Sequence, residues 1–241
     1  MNDDLEIKIH ELTENPSARV SISLCLDVSG SMGGEPIREL NEGIHQFFSE
    51  VRNHKLAKYS ADICIVTFGN SVRKIVDFRA VDQQRVPQLV ASGATPMGKA
   101  VNLALDTLEF RKNEYKAVGV DYYQPWLVLM TDGQPTDEIA EAAGRAVELV
   151  NRRKLTVFPI GIGPHADLAQ LAKFSPLRSP MRLKGLAFVE FFTWLSKSIV
   201  RTSATSVSDK VELPATSWAN SASARTLDGI DLPPMTGWTS L

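Results

Sequence analysis

Residues 19–34 read R-V-S-I-S-L-C-L-D-V-S-G-S-M-G-G, and this stretch decides the fold. From Arg19 to Val28 the run is β-branched and aliphatic, a pattern that predicts a buried strand. The small residues that follow predict a loop at the end of that strand. Asp27, Ser29 and Ser31 alternate there, and the neighbouring glycines let the backbone curl so that the three oxygen-bearing side chains converge.

A helix is predicted directly after this loop. Pro36 suits a first helical turn, and apolar residues then recur at three- and four-residue spacing up to Asn53. Gly69-Asn70 separates two strand patterns and predicts a hairpin. The order is then β-α-β-β-α-β-α-β-α-β-α. The hairpin strands span residues 59–68 and 72–78, the later strands 126–130, 155–162 and 180–186, and the later helices 96–110, 139–153, 167–174 and 188–201.

Strands that alternate with helices require right-handed crossovers and a mainly parallel sheet. We therefore predict a Rossmann-like, doubly wound α/β fold with a mainly parallel six-stranded sheet, one antiparallel edge strand and helices on both faces. Such sheets bind ligands beyond the carboxyl ends of their strands, near the switch point. Two strand ends that carry an aspartate, Asp27 and Asp132, fall where this rule places a ligand.

The chain divides into one domain with an extension at each end. We predict an N-terminal extension at residues 1–18, a domain at 19–203 and a tail at 204–241, because the tail is rich in Ser, Thr, Ala and Pro and has no sustained periodicity. Residues 211–214 (V-E-L-P) and 230–233 (I-D-L-P) echo each other, and a Trp follows each. The echo indicates either two turns that a Trp pins to the domain or a docking peptide for a partner.

Composition excludes several functional classes. The 241 residues are 44% hydrophobic and 22% charged, with a net charge of -2, as in a water-soluble globular protein without a general nucleic-acid footprint. The acidic N-terminus lacks a signal-peptide pattern, and no run approaches the roughly 18 apolar residues of a membrane span. We expect a cytoplasmic protein that does not contact the membrane.

Cys25 and Cys64 lie in strand patterns and are expected to be buried, reduced thiols.

Two further loops carry oxygen ligands. Thr95 lies in S-G-A-T-P-M at residues 92–97, and Asp132 lies in T-D-G-Q-P-T-D at 131–137. Mg²⁺ takes near-octahedral oxygen coordination and keeps several waters, so hydroxyls, two carboxylates and water suffice and leave one position for a ligand. Taken singly, each residue has an ordinary explanation as a cap or a loop hydroxyl, and Thr95 could cap the helix at Pro96.

Together, the three segments resemble the metal-ion-dependent adhesion site (MIDAS) of von Willebrand factor A domains. All five positions match in identity, order and separation. The resemblance implies that the hydroxyls of Ser29, Ser31 and Thr95 bind the ion, whereas Asp27 and Asp132 act largely through water. It implies Mg²⁺, with Mn²⁺ or Ca²⁺ as alternatives, and a protein partner whose Asp or Glu completes the coordination shell.

Within that family, the chain is similar to the bacterial TerY-like tellurite-resistance proteins. G-E-P-I at residues 34–37, N-E-G at 41–43 and V-T-F-G at 66–69 carry this likeness together with the Thr95 and Asp132 segments. The likeness covers roughly residues 19–202. It implies an adaptor or scaffold in a bacterial tellurite-resistance, stress-response or phage-defence system, whose gene sets include protein kinases, phosphatases and TerD-like proteins.

A metal-dependent phosphotransfer enzyme is the alternative, but the sequence disfavours it. Asp27 could correspond to the nucleophile of haloacid-dehalogenase-like phosphatases, yet those enzymes need a second Asp where this chain has Ser29. Residues 30–34 lack the lysine of a phosphate-binding loop. The four histidines are scattered without a zinc-binding spacing. We therefore expect no enzymatic activity, and we expect Asp137 and Glu138 to cap the helix that follows them.

Overall fold

A computed structural model describes residues 10–15, 17–209, 211–214, 216, 219–220 and 230–232. Strands and helices alternate along most of these residues. The strands are β1 (Val20–Asp27), β2 (Ala61–Phe68), β3 (Val72–Val76), β4 (Trp126–Thr131), β5 (Thr156–Gly161), β6 (Met181–Leu183), β7 (Val211–Leu213), β8 (Ala219–Asn220) and β9 (Ile230–Leu232). Residues 10–14 are helical. The helices after β1 are α1 (Glu35–Asn53), α2 (Ala57–Ser60), α3 (Met97–Val118), α4 (Ala140–Asn151), α5 (Leu168–Ala172) and α6 (Phe188–Ser203).

A central sheet has the strand order β3-β2-β1-β4-β5-β6-β8. Strands β2, β1, β4, β5 and β6 run parallel, and β3 lies antiparallel to β2 at one edge. The predicted doubly wound fold, with a mainly parallel six-stranded sheet and one antiparallel edge strand, is confirmed. The two-residue strand β8 was not predicted; it pairs antiparallel with β6 and extends the opposite edge.

Helices cover both faces of the sheet. Residues of α1 and α6 form one apolar core with the side chains of Ile22 and Leu24, whereas α3 and α4 form a second core on the face that carries Cys25. Every residue of β1 and β2 is buried, as expected for strands covered on both sides. Both cysteines are buried and free, as predicted. No helix within the described residues is long and apolar enough to cross a membrane.

Helix α3 is longer than predicted, because its C-terminal half is buried through polar contacts. The predicted end at residue 110 is wrong, and the helix continues to Val118. Arg111 is only 2% exposed; its Nε donates to Asp62 Oδ2 at 2.7 Å. The hydroxyl of the fully buried Tyr115 donates to the same oxygen at 2.5 Å. Ion pairing therefore replaces the apolar periodicity on which the sequence prediction depended.

The echoed segments of the tail pair with each other. Strand β7 lies antiparallel to β9, so the two V-E-L and I-D-L sequences are in register. Val211 and Leu213 are buried in the core on the α6 side, and Trp194 Nε1 donates to the Pro214 carbonyl at 2.7 Å. Trp218 and Trp238, the residues proposed to pin the tail, lie outside the described residues. The division into residues 1–18, 19–203 and 204–241 stays a prediction.

Two helical glycines differ in what surrounds them and give a test of packing. A Cβ at Gly43 of α1 would lie 2.7 Å from Phe192 Cδ2 and 3.1 Å from Phe188 Cβ in α6, whereas a Cβ at Gly144 of α4 would meet nothing within 4 Å. We expect Gly144→Ala to raise the free energy of unfolding by about 0.5–1 kcal/mol through helix propensity. We expect Gly43→Ala to lower it by about 1–3 kcal/mol through overpacking.

Urea denaturation of both variants at neutral pH measures the difference. Equal stabilisation by the two alanines would contradict the close packing of α1 against α6.

Candidate metal centre

The candidate centre lies where the sheet changes its winding direction. Strands β1 and β4 are neighbours, with Leu26 opposite Met130, so Asp27 and Thr131 end adjacent parallel strands. The chain leaves β1 towards β2 on one side, and β5 continues from β4 on the other. The Ser29, Ser31 and Asp132 side chains follow these two ends, at the crevice where doubly wound sheets bind ligands.

Asp27 is fully buried at the base of the site. Its Oδ1 accepts a hydrogen bond from the Ser29 backbone N–H at 2.8 Å, and its Oδ2 accepts one from the Thr131 hydroxyl at 2.5 Å. Burial raises the pKa of Asp27 to about 6; the hydrogen bonds from Ser29 and Thr131 oppose that rise, and the charge of Asp132 adds to it. The carboxylate is therefore held in position, and no positive charge compensates it within the described part of the chain.

A hydrogen-bonded row of polar side chains consists of Ser29, Ser31 and Asp132. The two serine Oγ atoms are 3.0 Å apart, and Ser31 Oγ donates to Asp132 Oδ1 at 2.9 Å. Ser29 is buried, Ser31 is exposed and Asp132 is half-buried, so this row of side chains leads from the interior to the surface. A turn of 3₁₀ helix at Gly30–Met32, which was not predicted, places Ser31 over this path.

Thr95 reaches the site from a third loop and is buried there. A methyl group added at Gly133 would lie 3.8 Å from Thr95 Oγ1, which places the hydroxyl beside the Asp132 loop. Thr136 fixes this contact, because its N–H donates to the Thr95 carbonyl at 3.0 Å and its Oγ1 accepts from the Thr95 N–H at 3.1 Å. All five predicted residues thus line one region, with Thr95 held through the backbone.

Two glycines allow the loops to approach this closely. A Cβ at Gly69 would lie 2.5 Å from the Ser92 carbonyl oxygen and 2.7 Å from that of Val28. Gly93 has a φ of +80°, and a Cβ there would lie 2.4 Å from the Asn70 backbone. The packed loops are then joined by the Gly30 N–H, which donates to the Gly93 carbonyl at 2.9 Å. Side chains at either glycine would separate the Thr95 loop from the first loop.

Asp137 caps a different helix from the one predicted. Its two carboxylate oxygens accept hydrogen bonds from the Gly98 and Lys99 N–H groups, both at 2.9 Å, in the first turn of α3. The prediction that it caps the helix after it is wrong, because α4 begins only at Ala140. Thr95 does not cap α3 either, since the N-cap position is Pro96 and no side-chain bond forms there.

Sequence reasoning missed how Thr131, Thr136 and Asp137 support the site. Their signal was present, because all three belong to the T-D-G-Q-P-T-D segment that also contains Asp132. Their contacts, however, join loops that are distant in sequence.

The donor set fits a hard divalent cation. Asp27 and Asp132 bring two carboxylates together, and within the described residues no Lys, Arg or His forms an ion pair with either. No cluster of three His, Cys, Asp or Glu side chains suited to a metal occurs in the same part of the chain. The centre instead combines two carboxylates with three hydroxyls, and oxygen donors of this kind suit Mg²⁺, Mn²⁺ or Ca²⁺.

The sheet order and the oxygen-lined crevice define a Rossmann-like α/β domain with a candidate cation centre. The family model of the von Willebrand factor type A domain matches residues 21–182, which is most of the chain. The protein therefore belongs to the von Willebrand factor A family. No curated protein is similar enough to count as a match.

Solved structures support the same fold. A von Willebrand factor type A protein from Catenulispora acidiphila superposes with a TM-score of 0.57 at 18% identity, covering 77% of this chain and 43% of that one. Manganese-loaded TRAP protein from Plasmodium vivax gives 0.51 at 20% identity, covering 72% and 73%. Mussel byssus proximal thread matrix protein 1 with a zinc-occupied MIDAS motif gives 0.50 at 14%, covering 76% and 48%. The chain spans 49% and 50% of the length of two further structures of that mussel protein.

Removal of the Asp137 carboxylate tests how the Thr95 loop is held. We expect Asp137→Ala to lower the free energy of unfolding by about 0.5–2 kcal/mol, because two N–H groups at the start of α3 lose their acceptor. Amide hydrogen exchange should accelerate at Gly98 and Lys99. Glu138→Ala is the matched control, since that neighbouring carboxylate is exposed. Unchanged exchange at both amides would contradict the cap.

Proposed function

We propose that this domain is a metal-dependent protein-binding module that holds one divalent cation with Asp27, Ser29, Ser31, Thr95 and Asp132. The observation that carries the proposal is the convergence of these oxygen side chains from three loops around two carboxylates without a basic partner. The bound ion would supply an incompletely neutralised positive charge for the Asp or Glu of a partner. The family membership and the manganese- and zinc-containing structures of similar fold support this assignment.

The proposed roles follow from the position of each residue. Ser29 and Ser31 direct their hydroxyls along the path from the interior to the surface, and Thr95 adds a third hydroxyl from the opposite loop. Asp27 lies deepest and is engaged by Ser29 and Thr131, so it orients the hydroxyl groups and balances charge. The exposed Ser31 marks the side from which a partner reaches the ion. We propose Mg²⁺ as the resident ion, with Mn²⁺ and Ca²⁺ as alternatives.

The domain is proposed to bind and not to catalyse. A nucleophilic aspartate must meet its substrate, whereas the Asp27 side chain is fully buried and both its oxygens already accept hydrogen bonds. This geometry supports a binding role over the phosphotransfer alternative. Hydrolysis of a phosphoester that Asp27→Ala abolishes would contradict it.

The proposed biological setting follows from the likeness to TerY-like proteins. The TerY-like segments support an adaptor in a bacterial tellurite-resistance, stress-response or phage-defence system, acting in the cytoplasm. Its proposed partners are a kinase, a phosphatase or a TerD-like protein of the same gene set. Mg²⁺-dependent capture of one of these proteins by the purified chain, reversed by a chelator, is the expected result.

Titration calorimetry with Mg²⁺ and Mn²⁺ tests the metal centre itself. We expect saturable binding by the intact chain and a loss of more than about 100-fold in affinity in Ser29→Ala/Asp132→Ala, since even outer-shell substitutions commonly cost roughly 10–100-fold. The matched control is Ser208→Ala/Asp209→Ala, which removes another hydrogen-bonded serine and aspartate from an exposed turn. The intact chain should also unfold at higher temperature when the ion is present.

Absence of metal binding by the intact chain would contradict the proposed metal centre and leave only the von Willebrand factor A fold. Equal losses in the two double variants would indicate a general defect in folding.

A further inference from the structure

A groove opens beside the proposed metal centre, between the start of α1 and the segment that precedes the Thr95 loop. It has a volume of about 380 Å³ and is lined by residues 33–34, Ile37, Arg38, Asn41 and 88–91. We propose that this groove receives an extended segment of a partner protein, with the metal-binding Asp or Glu followed or preceded by an aliphatic residue. The proposal rests on the proposed function, since the metal-bound carboxylate fixes where the segment begins.

The groove adjoins the loop that carries Ser31. Gly33 and Gly34 follow Ser31 almost directly in sequence, are exposed and belong to the lining of the groove. A Cβ at Gly34 would meet nothing within 4 Å, so the space beside Gly34 is open. A peptide whose carboxylate approaches the exposed Ser31 therefore enters the groove with its next residues.

The groove is already formed, because one side chain joins its two walls. Asn41 of α1 is buried, its Oδ1 accepts from the Leu89 N–H at 2.7 Å, and its Nδ2 donates to the Leu89 carbonyl at 3.0 Å. The same Nδ2 donates to the Ile37 carbonyl at 2.8 Å. A groove that needs no rearrangement avoids much of the ordering cost of binding.

The lining matches an aliphatic side chain and an extended backbone. The Leu89 side chain is buried beneath the groove, and Ile37 is half-buried. The Val90 side chain is 75% exposed, so it offers an apolar surface that no described residue covers. Within the described residues, neither backbone nor side-chain groups bind the N–H and C=O of Gln88 and Val90, whereas those of Leu89 are bound by Asn41. The backbone groups of Gln88 and Val90 can therefore pair with an added strand.

One charged side chain, that of Arg38, lines the groove and is 68% exposed. Its Nη2 lies 3.7 Å from Glu35 and 3.1 Å from Glu39, and exposed pairs of this kind contribute little. Both contacts are made by Nη2, so the remaining guanidinium N–H groups can donate to one carboxylate of the partner.

Binding of synthetic peptides to the full chain tests the proposal. The probes are acetylated, amidated Gly/Ser nonapeptides with one central glutamate. Each position next to the glutamate carries leucine, aspartate or serine in turn. Their affinities are measured by fluorescence anisotropy with Mg²⁺ or with EDTA. With Mg²⁺, we expect leucine at one position to tighten binding about tenfold over serine. Val90→Ser should remove that preference, whereas Leu177→Ser, at an exposed residue outside the groove, should retain it.

Arg38→Gln should reduce the gain from the added aspartate. Arg152→Gln, which alters a similarly exposed paired arginine, should not.

The outcomes separate this proposal from the one on which it rests. Equal affinity for leucine and serine peptides, with binding that still requires glutamate and Mg²⁺, overturns the groove and leaves the metal centre intact. A leucine preference that persists in EDTA overturns the link to the metal centre. Dimerisation of the free chain that Val90→Ser abolishes assigns the groove to a second copy and overturns the proposal.

Discussion

The buried carboxylate of Asp27 is the constraint on which the rest of the site depends. A charged group removed from water must be compensated, and within the described residues its donors are neutral, the Ser29 N–H and the Thr131 hydroxyl. Thr131 ends β4, so its bond to Asp27 requires β1 and β4 to be paired in register. The second carboxylate, Asp132, increases the negative charge instead of relieving it. The sheet therefore creates a local deficit of positive charge at its switch point.

The loops around the two carboxylates, Asp27 and Asp132, are joined mainly by their backbones. Gly69 and Gly93 permit contacts that a side chain would block, and Thr136 and Asp137 tie the Asp132 loop to the Thr95 loop and to α3. Such bonds fix the positions of the side-chain oxygens without consuming their lone pairs. The neighbouring groove is held differently, since the Asn41 side chain binds both backbone groups of Leu89, a few residues before Thr95.

The sequence predicted the parts of the fold that depend on local patterns. Strands buried on both faces gave continuous apolar runs, and the alternation of strands with helices was sufficient for the doubly wound topology and for the placement of Asp27 and Asp132. The prediction failed where distant polar residues replace apolar ones, as in α3, where Arg111 and Tyr115 are buried through Asp62. It also failed for strand β8 and for the cap by Asp137, which depend on pairing between remote segments. The metal roles of the five oxygen residues remain predictions.

The hydrogen bond from Ser31 to Asp132 spans 101 residues, and that from Thr131 to Asp27 spans 104. Asp132, the second carboxylate of the site, is therefore absent until the loop after β4 has been synthesised. Before that point the nascent chain offers the three hydroxyls and one carboxylate alone. Strand β4 must be synthesised and inserted beside β1 before the oxygen atoms converge. The order of synthesis thus delays the assembly of the five oxygen-bearing side chains until β4 has joined the central sheet.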